Sequence, residues 1–201
     1  MEYIVHRRNT KNLLLDTNKK YGIEIDLRSY KNEIILHHDP FENGYLFNDW
    51  IKHYEHGTLI LNVKEEGLEK KIEAILKKEC IKNYFFLDQS FPFLIYSANR
   101  GQKNCAVRYS EFESIETVLS LSKKISWVWV DCFTKYILDY KTSKIFNDNG
   151  FKICLVSPEL QGRDSENEIV SIAKTITEQN IFVDAICTKI PNLWEKAFKN
   201  D

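Results

Sequence analysis

The chain has 201 residues, of which 43% are hydrophobic and 13% aromatic, so it can bury a core without disulfides to hold it together. Its 28 basic and 29 acidic residues give a formal net charge of -1, which argues against binding to a nucleic-acid polymer. Charged residues interrupt the N-terminus before any apolar stretch long enough for a signal peptide or a membrane span. We therefore expect a cytoplasmic protein without a membrane span, and the oligomeric state stays open.

Short apolar runs recur at fairly even intervals and predict β-strands. In chain order they cover residues 3–5, 22–27, 33–36, 58–63, 84–87, 105–107, 127–130, 152–156 and 185–187. Between them, the stretches 67–78, 113–123 and 166–179 place apolar residues on one face at helical spacing. Strands that alternate with helices predict parallel strands buried on both faces.

Two architectures fit this alternation, an open doubly wound sheet and a closed barrel. No glycine-rich phosphate loop follows any strand, and the chain has only seven glycines, which argues against the open sheet. A complete eight-stranded α/β barrel takes about 250 residues. We therefore predict a compact (β/α)8 TIM-type barrel with trimmed loops, forming a single domain over residues 1–201.

Polar residues gather where the early strands are predicted to end. His6 and Arg7 follow the first strand, Glu24 and Asp26 lie on one face of the second, and His38 follows the third. Two neighbouring carboxylates repel each other unless a positive charge lies between them, and a hard divalent cation takes oxygen ligands. A solvated strand face would explain the carboxylate pair alone, but histidines at strand ends favour an active centre.

These residues resemble the signature of the glycerophosphodiester phosphodiesterase family, a branch of the phosphatidylinositol-phospholipase-like barrels. The family's His-Arg after the first strand matches His6 and Arg7. Its Glu-x-Asp, followed about a dozen residues later by His-Asp, matches Glu24, Asp26 and His38. The order and spacing of this paired signature are fairly specific.

Weaker similarities follow, and two positions depart from the family pattern. The family's third-strand Glu-x-Lys is similar to Asn62-Val63-Lys64, so a neutral amide replaces a carboxylate ligand. Arg8 stands where the family has glycine. An amide oxygen still binds a hard cation but contributes less charge. Asp88 or Glu159 could supply the missing acid, although a surface or capping role is the more common explanation for each of them.

The resemblance implies a role for each matching residue. His6 and His38 would be the catalytic acid and base, Arg7 and Lys64 would bind the substrate phosphate, and Glu24, Asp26 and Asn62 would hold the metal. The expected cofactor is a divalent cation, Mg2+ or Ca2+, with Mn2+ as a further option. The implied activity is metal-dependent hydrolysis of a small-molecule phosphodiester. The alternatives are a phospholipase-like lyase that forms a cyclic phosphate, and a non-catalytic barrel that binds a phosphate ligand.

Two further features bear on the substrate. The segment between Asp39 and Gly57 is too short for the subdomain that covers the substrate in longer family members, so we expect an open mouth that accepts a bulky diester. Trp127, Trp129 and Asp131 alternate on one strand. Their side chains either wall the pocket or pack in the core.

Overall fold

A computed structural model describes residues 1–199, so residues 200 and 201 of the predicted domain lie outside the described part. The strands are β1 Glu2–Val5, β2 Gly22–Tyr30, β3 Glu33–Leu36, β4 Tyr45–Leu46, β5 Leu59–Val63, β6 Tyr84–Leu87, β7 Ala106–Tyr109, β8 Trp127–Val130, β9 Lys152–Val156 and β10 Ala185–Thr188. The helices are α1 Lys11–Leu15, α2 Phe47–Trp50, α3 Glu69–Lys78, α4 Phe91–Asn99, α5 Ile115–Leu119, α6 Tyr140–Asp148, α7 Ser165–Glu178 and α8 Pro191–Ala197. Short 3-10 helices cover Ile51–His53 and Pro158–Gln161. Over residues 1–199, no helix has the length and apolar character needed to cross a bilayer.

Eight of the strands are parallel and close into a ring. Going around it, β1 pairs with β2, β2 with β5, and β5 with β6, while β7, β8, β9 and β10 pair in sequence and β10 returns to β1. The β6–β7 junction is a single parallel bridge between Phe86 and Cys105. This closed ring, with a helix in each of the connections that follow β1, β5, β6, β7, β8 and β9, confirms the predicted (β/α)8 barrel.

The run 33–36 differs from the other predicted strands because it does not join the ring. The second strand is longer than predicted, and its last residues pair with β3 in an antiparallel hairpin, to which β4 adds. The turn between Tyr30 and Glu33 holds only two residues, and Lys31 there has a left-handed φ of 54°. A turn of that length reverses the chain, because parallel neighbours need a much longer crossover.

Two apolar clusters lie on opposite sides of the ring. The inner cluster fills the barrel and includes Ile4, Ile60, Phe85, Trp127 and Trp129. The Trp127 and Phe85 rings stack with their centroids 4.6 Å apart. The second and larger cluster lies between the strands and the surrounding helices. Both tryptophans therefore belong to the core of the barrel.

The loop after β8 is fastened to the loop after β7 by the carboxylate of Glu111. Its oxygens accept hydrogen bonds from the backbone amides of Phe133, Thr134 and Lys135 at 3.1, 2.8 and 3.1 Å. These bonds favour the ionised form and lower the pKa of Glu111 to about 2, although burial opposes the shift.

Glu111→Gln should therefore lower the free energy of unfolding at pH 7 by about 1 kcal/mol, a modest figure because the carboxylate is partly solvated. A depressed pKa stabilises the fold above the unfolded value, near 4.5, and that contribution is lost as the pH falls toward about 2. Urea unfolding at pH 7 and pH 3 should show the difference from wild type shrinking at the lower pH. The exposed Glu178→Gln serves as the control, and an equal difference at both pH values would contradict this account.

Candidate active site

The predicted site residues from β1, β2 and β5 meet at the carboxyl-terminal edge of the barrel. Glu24 and Asp26 point inward from β2 and are fully buried. Asp26 stands opposite Asn62 in the parallel β2–β5 ladder, and His6 and Arg7 follow directly after β1. Chemistry in α/β barrels is carried by this edge, because the loops after the strands gather there.

Glu24 is held by groups on both neighbouring strands. Its Oε2 accepts a hydrogen bond of 2.7 Å from the backbone amide of Arg7, and its Oε1 accepts one of 3.1 Å from Nδ2 of Asn62. The His6 Nε2 lies 3.7 Å from Glu24 Oε2. Burial, followed by the negative charge of Asp26, raises the pKa of Glu24 well above its usual range. A cation bound between Glu24 and Asp26 would favour the ionised form of both carboxylates.

Asp26 is surrounded by cations and by one amide. Its Oδ2 accepts a 2.8 Å hydrogen bond from Nδ2 of Asn9 and lies 3.2 Å from Nε of Arg7. Its Oδ1 lies 3.2 Å from Nζ of Lys64, outside good hydrogen-bond geometry. The backbone amide of Asp26 donates to Oδ1 of Asn9 at 2.9 Å, so Asn9 fixes both the main chain and the carboxylate. Two predicted phosphate-binding residues, Arg7 and Lys64, therefore converge on one carboxylate.

Arg7 adopts a left-handed backbone conformation, with φ of 56°. This conformation is uncommon for a residue other than glycine, and such residues cluster at functional sites. Here it turns the backbone amide toward Glu24 while the guanidinium reaches Asp26. The next residue, Arg8, stands where the resembled family has glycine, and its backbone amide donates to the Glu24 carbonyl at 2.9 Å. The family's glycine is therefore not required for this turn.

His6 is largely enclosed, and its Nδ1 is buried without a hydrogen-bond partner among residues 1–199. Burial, with a further contribution from the charge of Arg7, lowers the pKa of His6 to about 4. The imidazole is consequently neutral near pH 7. A neutral imidazole beside two carboxylates can accept a proton.

His38 reaches the same edge by a different route from the one that its sequence position suggested. Because β3 runs antiparallel to β2 and Leu36 pairs with Leu27, the end of β3 returns to the barrel mouth. The His38 carbonyl accepts a 2.9 Å hydrogen bond from Nε of Arg28, and its Nδ1 lies 2.8 Å from Oδ1 of Asp39. Within residues 1–199, no hydrogen bond or ion pair joins the His38 side chain to His6, Glu24 or Asp26.

The oxygens around β2 and β5 suit a hard divalent cation. Asp26 Oδ1 and Asn62 Oδ1 are buried and accept no hydrogen bond within residues 1–199. Glu24 adds a second carboxylate, so two carboxylates and one amide oxygen are available. In the described part of the chain, no three His, Cys, Asp or Glu side chains group to hold a metal. A cation at the Glu24–Asp26 pair would take its remaining ligands from Asn62 and solvent.

The two acids considered as replacements for the missing carboxylate have other partners. Asp88 forms ion pairs with Arg108 and, at 3.8 Å, with Lys64. Glu159 accepts hydrogen bonds from Oγ1 of Thr188 at 2.6 Å and from the backbone amide of Lys189 at 2.9 Å. Neither acid contacts the Glu24–Asp26 pair directly.

Sequence reasoning missed two contributors to the site, Asn9 and Arg108. Asn9 is placed by the loop after β1, and its spacing from Asp26 follows no periodic pattern. Arg108 lies within the short strand β7, beside core residues, and forms ion pairs with Asp88 and Asp131. A charged residue inside an apolar strand was the available signal for Arg108, because lone buried charges are rarely left unpaired.

Comparison with known proteins shows which solved structures have a similar fold. No family model matches the chain. A solved Agrobacterium tumefaciens protein, provisionally named a glycerophosphoryl diester phosphodiesterase, is 12% identical with a TM-score of 0.69, covering 99% of this chain and 97% of its own. A glycerophosphoryl diester phosphodiesterase of Parabacteroides distasonis is 12% identical, with a TM-score of 0.66 over 99% of this chain and 86% of the other. A glycerophosphodiester phosphodiesterase of A. tumefaciens is 15% identical, with a TM-score of 0.64 over 96% and 99%.

At 12% to 15% sequence identity, the structural similarity shows that these proteins share a fold. The chain is an α/β barrel of the kind found in solved glycerophosphodiester phosphodiesterases, and the three alignments cover 96% to 99% of this chain and 86% to 99% of the others. The fold that the sequence resemblance implied is thereby confirmed.

Proposed function

We propose that this protein is a metal-dependent phosphodiesterase that cleaves a small-molecule phosphodiester at the carboxyl-terminal edge of its barrel. The observation that carries the proposal is the cluster of His6, Arg7, Glu24, Asp26 and Lys64 on a barrel shared with solved phosphodiesterases. A fold alone does not define an activity, so the residues at this edge carry the argument.

Glu24, Asp26 and Asn62 would hold the cation, which we expect to be Mg2+, Ca2+ or Mn2+. When bound, a divalent cation neutralises negative charge on a phosphate and orients the diester for attack. The fully buried carboxylates of Glu24 and Asp26 supply the attraction, and the unpaired Oδ1 of Asn62 supplies a neutral oxygen ligand.

The remaining residues divide the work of binding and proton transfer. Arg7 and Lys64 each carry positive charge beside Asp26 and would bind the non-bridging phosphate oxygens. His6, neutral and enclosed, would move one proton of the reaction, and His38, from the hairpin side of the mouth, would move the other. Hydrolysis requires a base that takes a proton from the attacking water and an acid that gives a proton to the leaving alkoxide. Two imidazoles can perform these two tasks.

The mouth has little cover on the hairpin side. Between Asp39 and Gly57 the chain forms only β4, α2 and the 3-10 turn Ile51–His53. We therefore propose that the substrate is a diester larger than the simplest glycerophosphodiesters, such as one linked to a polyol, a sugar or a nucleotide.

The metal requirement gives the first test. Purified protein should cleave members of a panel of glycerophosphodiesters, nucleotide-linked polyols and aryl phosphodiesters, lose that activity in excess EDTA, and regain it with Mg2+, Mn2+ or Ca2+. Asp26→Ala should cost more activity than Asn62→Ala, since a charged ligand attracts the cation more strongly than a neutral one.

The products and the controls separate the alternatives. A cyclic phosphate would identify the lyase route, and preference for sn-glycero-3-phosphocholine over every larger diester would contradict the open mouth. Full turnover in excess EDTA with no bound metal would reject the metal requirement. Phosphate-ligand binding without cleavage of any diester would favour the non-catalytic barrel.

A further inference from the structure

A line of ion pairs crosses the barrel mouth from the proposed metal ligands to the opposite strands. Lys64 on the β5 side lies 3.2 Å from Oδ1 of Asp26 and 3.8 Å from Oδ2 of Asp88. The other oxygen of Asp88 pairs with Arg108, and Arg108 pairs in turn with Asp131. We refer to Lys64, Asp88, Arg108 and Asp131 as the charged bridge.

The far end of the charged bridge is firmly anchored. Asp131 is 2% exposed, and beyond Arg108 it accepts hydrogen bonds from Nε1 of Trp129 at 3.4 Å and from Nε2 of Gln161. The guanidinium of Arg108 lies 5.8 Å from the centre of the Phe133 ring. Arg108 is thus fixed by groups that have no contact with Lys64.

Asp88 lies at the centre of the charged bridge and adopts an uncommon backbone conformation. It follows β6 directly and has a left-handed φ of 58°, which aspartate tolerates better than most residues but still adopts rarely. Its two carboxylate oxygens are divided between its neighbours, Oδ2 toward Lys64 and Oδ1 toward Arg108. The backbone conformation and the two ion pairs together place this carboxylate beside Lys64.

Lys64 needs such a support to act on a phosphate. A lysine side chain is flexible and loses rotamer entropy when it is fixed, so a single ion pair with Asp26 restrains its ammonium less than two ion pairs do. With carboxylates on two sides, the ammonium is restrained beside the proposed metal ligands. We propose that Asp88 is a positioning residue that holds Lys64 at the phosphate end of the site, itself held by Arg108 and Asp131. This inference rests on the proposed function for the role of Lys64.

The test uses Asp88→Asn, which removes the charge, keeps the side-chain size and tolerates the left-handed backbone. Lys64 borders an open cleft of about 280 Å3, so an amine-acylating reagent can reach it. The rate of Lys64 acylation, measured by mass spectrometry, should rise severalfold in this variant, because the side chain is no longer held against the Asp88 carboxylate and can move into the cleft. This readout does not depend on catalysis.

Activity gives the second readout. With an aryl phosphodiester, Asp88→Asn should lower kcat/KM about tenfold, as is usual for residues that orient groups at a metal site. In a Lys64→Gln background the same change should alter kcat/KM by less than about twofold, because its effect is transmitted through Lys64. Asp148→Asn, which breaks the surface pair with Lys144 on α6, is the matched control and should change neither readout.

The acylation rate and the activity together distinguish the positioning role of Asp88 from the proposed function of the protein. Lys64 acylation unchanged in Asp88→Asn, with only a lower urea midpoint, would overturn the positioning role and leave Asp88 a structural residue. Faster acylation in a protein that cleaves no diester would support positioning and reject the proposed function. Should Asp88→Asn unfold, Asp88→Gly removes the same carboxylate at a position where glycine relaxes the backbone, and the same outcomes apply.

Discussion

His6→Ala should lower turnover of a phosphodiester by about 100- to 10,000-fold while the barrel stays folded. The imidazole is enclosed at the mouth with its Nε2 3.7 Å from Glu24, and burial keeps it neutral near pH 7. Its loss removes a group positioned for proton transfer without opening the apolar interior, since His6 lies at the edge above Ile4. Steady-state kinetics and a urea melt on the same preparation measure both effects.

His38→Ala should reduce turnover to a similar extent, and the double variant should be far less than multiplicatively worse, because the two groups serve one reaction. An aryl diester with a leaving group that needs no proton separates their roles. On that substrate, loss of the acid should matter little, whereas loss of the base should still prevent attack.

His53→Ala, in the 3-10 turn Ile51–His53, provides the matched control and should retain near wild-type rates. If both His6→Ala and His38→Ala also keep those rates on natural-type and aryl substrates, the histidine assignment fails. The protein would then be better explained as a phosphate-binding barrel.

Asn62→Asp should lower the free energy of unfolding in metal-free buffer at pH 7 by about 3–5 kcal/mol. Asn62 donates a 3.1 Å hydrogen bond to Glu24 and stands opposite Asp26 in the β2–β5 ladder. Aspartate would remove that donor and add a third negative charge to a buried pair of carboxylates. The substitution also creates the third carboxylate ligand that the resembled family uses.

The same variant should regain stability when Mg2+ or Ca2+ is added. A cation that binds only the folded state stabilises it by about 2.7 kcal/mol at 100 times its dissociation constant, and a third carboxylate should tighten that binding. Urea unfolding in EDTA and in millimolar Mg2+ measures the recovery. Asn48→Asp, at an exposed position, should show a small loss and no response to Mg2+. Equal destabilisation of Asn62→Asp with and without the cation would show that these oxygens do not form a cation site.

Much of the fold could be predicted because a barrel repeats one local pattern. Each strand buried on both faces reads as a short apolar run, and each covering helix has an apolar stripe. The direction of β3 could not be predicted, since a four-residue run carries no sign of its orientation. That direction depends on the two-residue turn after Tyr30, which reverses the chain and brings His38 to the mouth.

The candidate site was predictable only where its residues share a strand or follow one. Glu24 and Asp26 could be placed on one face because side chains alternate along a strand. The amide of Asn9 could not be assigned to Asp26, since the loop between β1 and α1 sets that contact. The positions of Trp127 and Trp129 could not be predicted either. A side chain that points into a barrel lies in the core or at the mouth depending on its position along the barrel axis, and strand alternation does not give that position.

The junction between β6 and β7 has a mechanical consequence. Every other neighbouring pair in the ring is joined by a ladder of at least two residue pairs, whereas this junction has the single Phe86–Cys105 bridge. Directly above it, the side chains of Asp88 and Arg108 join the two strands at the mouth. The β6–β7 junction is thus the place where backbone pairing in the ring is weakest, and the Asp88–Arg108 ion pair supplements it at the carboxyl-terminal edge. Replacing Arg108 or Asp88 would therefore remove a link between the two strands that share the fewest backbone pairs in the ring.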